Sequence, residues 1–111
     1  MKKDIRYLIN PTMPNLIIII DEKNNSLEYQ EMIDKVTENR CKDAHIELVT
    51  GHEYYESLYQ LYDIKTAPPF ALLFDGERYI GSVLGLYEEV YINDIIDALV
   101  EKDFSIFVEE K

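Results

Sequence analysis

The chain has 111 residues, enough to bury about two-thirds of the surface its unfolded form exposes and to fold as one domain over 1–111 without metal or disulfide staples. Asp and Glu number 22 against 11 Lys and Arg, a formal net charge of -11 spread over the whole length; such a surface repels nucleic acid phosphates and anionic lipid. A single cysteine excludes an internal disulfide and a two-thiol redox cycle within the chain, and fits a reducing, cytoplasmic setting.

The N-terminal stretch "MKKDIRYLINP" has lysines but no adequate apolar region or small-residue cleavage site, so neither signal peptide nor anchor is expected. Within it "DIRYLI", 4–9, reads as a short strand closed by the turn residues "NPTMP". "NLIIII", 15–20, is continuously apolar and β-branched, the pattern of a central strand covered on both faces. Its run from Leu16 to Ile20 is far short of the roughly 20 residues that cross a bilayer, so no membrane span is expected.

After the polar turn "DEKNNS", Asn25 with Glu28 resembles a capping box, and Tyr29, Met32, Ile33 and Val36 recur at the spacing of one helical face. "AHIELVT", 44–50, alternates around Ile46 and Leu48 as a strand. Thr50 with Glu53 gives a second capping signal before Tyr55, Leu58, Tyr59 and Tyr62. That spacing predicts Tyr55, Tyr59 and Tyr62 toward the core and Tyr54 outward. "FALLF" and "RYIGSVLG" flank Asp75-Gly76, a two-residue hairpin signal, and Ile92, Ile95, Ile96 and Leu99 mark a last amphipathic helix. The tail "FSIFVE", with Phe104, Ile106 and Val108 on one side, is expected to pack within the chain or to join two copies as a homodimer.

The order is strand, helix, strand, helix, hairpin, helix: an α/β chain with a βαβ unit followed by a ββα unit, a central mixed sheet flanked by helices. With "YDIKTAPPFALLFDGERYIGSVLG", 62–85, placing two prolines before the hairpin, the sequence resembles the thioredoxin-like fold family over a core of about 15–101. Residues 1–14 are then an N-terminal strand or extension, and 102–111 a tail. The resemblance implies a cis proline leading the third strand. Matching "PFALLF" to the family strand assigns it to Pro69, counting forward from Tyr62 assigns it to Pro68, and Pro69 keeps the strand pattern intact.

The resemblance also implies where a thiol pair belongs, at the start of the first core helix, where the positive helix end favours a thiolate. Those four positions are Lys23, Asn24, Asn25 and Ser26, without a cysteine. Lys23 replaces the attacking thiol and Ser26 the resolving one, and a hydroxyl does not substitute for a thiolate near neutral pH. The family's buried proton-shuttling carboxylate maps onto Ile17.

Cys41 lies near the helix end between Arg40 and Lys42, cations that favour a thiolate, and its alternative role is that of a small, partly buried apolar residue. Cys41, His45 and His52 match no metal-ligand spacing. No cofactor is expected. The sequence therefore points to a redox-inactive protein- or peptide-binding module. Its groove would be formed by Lys23, Asn24, Asn25, Ser26, Ala67, Pro68 and Pro69 and would accept an extended segment as an added strand. The alternative is a one-cysteine thiol-disulfide or glutathione-linked enzyme using Cys41.

Overall fold

The computed structural model describes residues 4–23, 25–64 and 68–103. Four strands and three helices follow in the order β1 (Pro14–Ile20), α1 (Leu27–Arg40), β2 (His45–Thr50), α2 (Tyr55–Tyr62), β3 (Phe70–Asp75), β4 (Arg78–Leu84) and α3 (Glu89–Glu101). They build a mixed sheet of order β2-β1-β3-β4, in which β1 runs parallel to β2 and antiparallel to β3, and β3 is antiparallel to β4.

The apolar run of β1 explains its central place. Leu16, Ile18 and Ile20 face one core with Ile33 and Val36 of α1 and Ile92, Ile95, Ile96 and Leu99 of α3. Ile17 and Ile19 face a second core with Tyr54, Leu58 of α2, Phe70, Leu72 and Phe74. Successive side chains alternate across a strand, so only a strand clothed on both faces can be apolar throughout. Helices α1 and α3 thus cover one face and α2 the other.

The expected strand at 4–9 is instead a short 3-10 turn, Ile5–Leu8, packed beside α2. Ile5 is fully buried, and its N–H donates to Ser57 Oγ at 3.2 Å. The apolar residues Ile5, Leu8 and Ile9 follow a helical spacing, which suits a turn capping a core better than a strand at a sheet edge. This segment therefore belongs to the second hydrophobic core.

Two further expectations shift by a residue. Helix α1 is capped by Ser26, whose Oγ accepts the Tyr29 N–H at 3.1 Å, rather than by Asn25 with Glu28. In the hairpin Asp75 pairs with Arg78, leaving Gly76 and Glu77 as the loop. Gly76 has φ 61° while Glu77 does not share it, the type II′ pattern with glycine first. A Cβ at Gly76 would also lie 2.9 Å from the Pro11 carbonyl oxygen.

The tyrosines of α2 are the clearest reversal. Tyr54 is 6% exposed and belongs to the core, whereas Tyr55 and Tyr59 are 45% and 55% exposed. Thr50 does not cap α2, because a 3-10 turn, Gly51–Glu53, intervenes and the helix begins at Tyr55. That turn rotates the inward face onto Tyr54 and Leu58, one helical turn apart. Tyr62 remains half-buried, its ring edge-on to Phe74 and tilted against Tyr79. The tail expectation for 104–111 lies outside the described residues.

Candidate functional site

Strand register gathers several chain segments at one end of the sheet. Ile19 pairs with Phe70 and Phe70 pairs with Leu84. The turn after β1, the Pro68-Pro69 pair before β3 and the Leu84-Gly85 exit from β4 therefore leave the sheet side by side. The peptide bond between Pro68 and Pro69 is cis; Pro69 is buried and Pro68 half-buried. Leu84, 56% exposed, stands opposite Phe70, and Leu27 and Tyr87 are exposed on the first turn of α1 and just before α3.

Of the groove residues expected from the sequence, Asn24 and Ala67 lie outside the described residues. Lys23 is exposed, and its N–H donates to Asp21 Oδ1 at 2.9 Å. Asn25 is also exposed, and its Oδ1 accepts from Gln30 Nε2 at 2.5 Å. Ser26 is committed to the helix cap. Ile17 is fully buried among apolar neighbours, and Asn15 is the buried polar residue among those described.

The same end of the sheet carries two clefts that sequence reading missed. One, of about 500 Å3, is lined by Asp21, Glu22, Lys23, Thr50, His52, Glu53 and Tyr55. Beside it lies another of about 380 Å3, whose lining includes Asn25, Gln30, Thr50, Glu53 and Tyr54. The cause is topological. Parallel neighbours β1 and β2 send their following helices to opposite faces, and the two diverging connections open a crevice at the strands' carboxyl ends. The contributing residues stand about thirty positions apart in the chain, so only the parallel pairing brings them together.

Cys41 is exposed and sits at the C-terminal end of α1, away from this site. A helix of 14 residues spans roughly 20 Å. Arg40, expected to assist the thiol, is engaged elsewhere: Nε donates to Asp43 at 2.7 Å, Nη1 to Asn93 at 2.9 Å and Nη2 to Asp97 at 2.6 Å. The Asp43 bond, then Asp97, raise its pKa further above the ordinary range. His45 bonds Glu47 at 3.0 Å on β2, while His52 opens the loop before α2. Among the described residues no three His, Cys, Asp or Glu side chains converge as a metal site.

Neither a family model nor a curated protein matches the sequence. Solved structures do match in three dimensions. A chain from a structure describing thiol resolution in a yeast mitochondrial 1-Cys peroxiredoxin via glutathione/thioredoxin systems aligns with TM-score 0.67 and 19% identity, covering 85% of this chain and 86% of that one. A mutant thioredoxin from Halobacterium salinarum aligns with TM-score 0.64 and 18% identity over 90% and 88% of the two chains. The fold is thioredoxin-like. The germline-specific thioredoxin Deadhead of Drosophila melanogaster agrees, with TM-score 0.64, 12% identity and coverage of 79% and 82%. In this thioredoxin-like frame the cleft between the β1 and β2 connections and the Pro68-Pro69 shelf flank the turn that begins α1.

Proposed function

We propose that this thioredoxin-like chain is a binding module without dithiol redox activity, and that it holds an extended peptide segment of a protein partner at the end of the sheet described above. The observation that carries this reading is the position of the sulfur. The turn before α1 offers Lys23, Asn25 and Ser26, while the sequence's one cysteine stands at the opposite end of that helix. What remains at the sheet end suits recognition: exposed Leu27, Leu84 and Tyr87 offer apolar contact beside the cis Pro68-Pro69 bond.

The test is selection of displayed random peptides against the protein, followed by binding to variants. Leu84→Ser and Asn25→Lys, both at exposed positions, should lower retention of selected peptides by about tenfold with unchanged circular dichroism. In parallel, an insulin-reduction assay with dithiothreitol should show no turnover above background. Retention indifferent to both substitutions, or catalysed insulin reduction, would overturn the reading.

The exposure of Cys41 favours a second reading, a one-cysteine thiol-disulfide or glutathione-linked activity. It predicts turnover of a glutathionylated peptide with glutathione as reductant, abolished in Cys41→Ser; absence of turnover in the unsubstituted protein removes it.

A further inference from the structure

We infer that the buried hydroxyl of Tyr29 is a hydrogen-bond donor kept for a backbone carbonyl of the bound peptide, so that Tyr29 is the polar anchor of the groove; this rests on the peptide-binding reading above. Tyr29 stands on the first turn of α1, its N–H held by Ser26 Oγ at 3.1 Å, and its ring packs against the core cluster that contains Leu86 and Ile92. The hydroxyl is shut off from solvent and finds no acceptor among the described residues. Buried polar groups are nearly always paired, so an orphan inside the fold calls for a partner that the free chain does not supply.

The surroundings of Tyr29 put it at the peptide site. Tyr87, on the connection from β4 to α3, stands near enough to add to the burial that keeps the phenol protonated. The same connection follows Leu84, and a Cβ built on Gly85, where φ is 74°, would meet nothing within 4 Å. The backbone there borders open space between exposed Leu84 and exposed Tyr87, and Leu27, also exposed, lies two residues before Tyr29. A chain resting on these three apolar side chains brings its own backbone beside the phenol. The acceptor reaches the covered hydroxyl when the Tyr87 side chain, 64% exposed, turns aside, and exposed side chains change rotamer within nanoseconds.

Charge selects the acceptor. The chain carries -11, with Glu28 next to Tyr29 and Glu88 next to Tyr87 in sequence. A carboxylate would be repelled there and would lose its hydration on burial, whereas an amide carbonyl enters neutral.

The probe is the acetylated, amidated peptide Ala-Leu-Leu-Ala, added to protein carrying fluorotyrosine and isotope-labelled amides and followed by NMR; Tyr29→Phe identifies the fluorine signal of Tyr29. The peptide should shift that signal together with the amides of Leu84 and Gly85. Tyr29→Phe should weaken binding by about fivefold while the urea midpoint of the free protein stays equal or rises. Equal affinity of Tyr29→Phe, or a weakening accompanied by a lower urea midpoint, would overturn the assignment. Shifts at Leu84 and Gly85 with none at Tyr29 would overturn it too while leaving the groove reading intact. Absence of shifts at all three positions would reject both.

Discussion

The side chain of Asn15 ties the far end of the molecule together. Fully buried, its Oδ1 accepts the Asn10 N–H at 2.8 Å, while Nδ2 donates to the carbonyls of Asn10 at 2.9 Å, Met13 at 2.8 Å and Gly76 at 3.1 Å. Asn15→Leu would leave those backbone groups without their partner, so we expect a loss of about 3 kcal/mol in urea unfolding. Tyr29 presents the reverse case. Its hydroxyl is buried with no partner among the described residues, and burial, aided by Tyr87, pushes its pKa up from 10 to about 12. Burial likewise raises Tyr62 and Tyr79. These phenols hold their protons more tightly folded than unfolded. Their contribution is complete below pH 10 and is lost as pH rises toward the folded values. Unfolding free energy should fall between pH 10 and 12, and Tyr29→Phe should flatten that fall. At pH 7 the same variant should be unchanged or up to about 1 kcal/mol more stable.

At the scale of elements, the N-terminal 3-10 turn is a structural part of the second core. Ile5→Ala should cost about 3 kcal/mol, measured by denaturant midpoint, because the fully buried side chain has Tyr54 and Leu58 in its cluster and leaves a cavity. The sequence showed this segment to be apolar but not its conformation, since six residues are too few for periodicity to separate a strand from a helical turn. Strand β1 was legible because its unbroken apolar run admits only a doubly covered position. Helix α3 was legible because four apolar residues repeat over two turns. The phase of α2 was not, since the three residues Gly51–Glu53 wind as a 3-10 turn, with Tyr54 inward and Tyr55 and Tyr59 outward after them. At the candidate site, Lys23, Asn25 and Ser26 were found by their place before α1. Tyr55, Glu53 and His52 were missed because their juxtaposition with Asp21 and Glu22 comes from parallel pairing, which no local spacing encodes.

For the molecule as a whole, the dominant electrostatic fact is self-repulsion at a net charge of -11. Salt weakens the exposed pairs, such as Lys35 with Glu89 at 3.5 Å, but such pairs contribute little. Screening the excess carboxylates should prevail, so the melting temperature at pH 7 should rise by about a few degrees between low salt and 0.5 M sodium chloride, read by differential scanning calorimetry. The placement of sulfur has a practical consequence. Because Cys41 is exposed at the far end of α1 and is the one thiol in the sequence, a maleimide dye attached there labels every molecule at a single known address. That address is rigidly joined to the proposed peptide site by a helix of roughly 20 Å. Energy transfer to an acceptor on a peptide would then measure which way the peptide lies across the sheet.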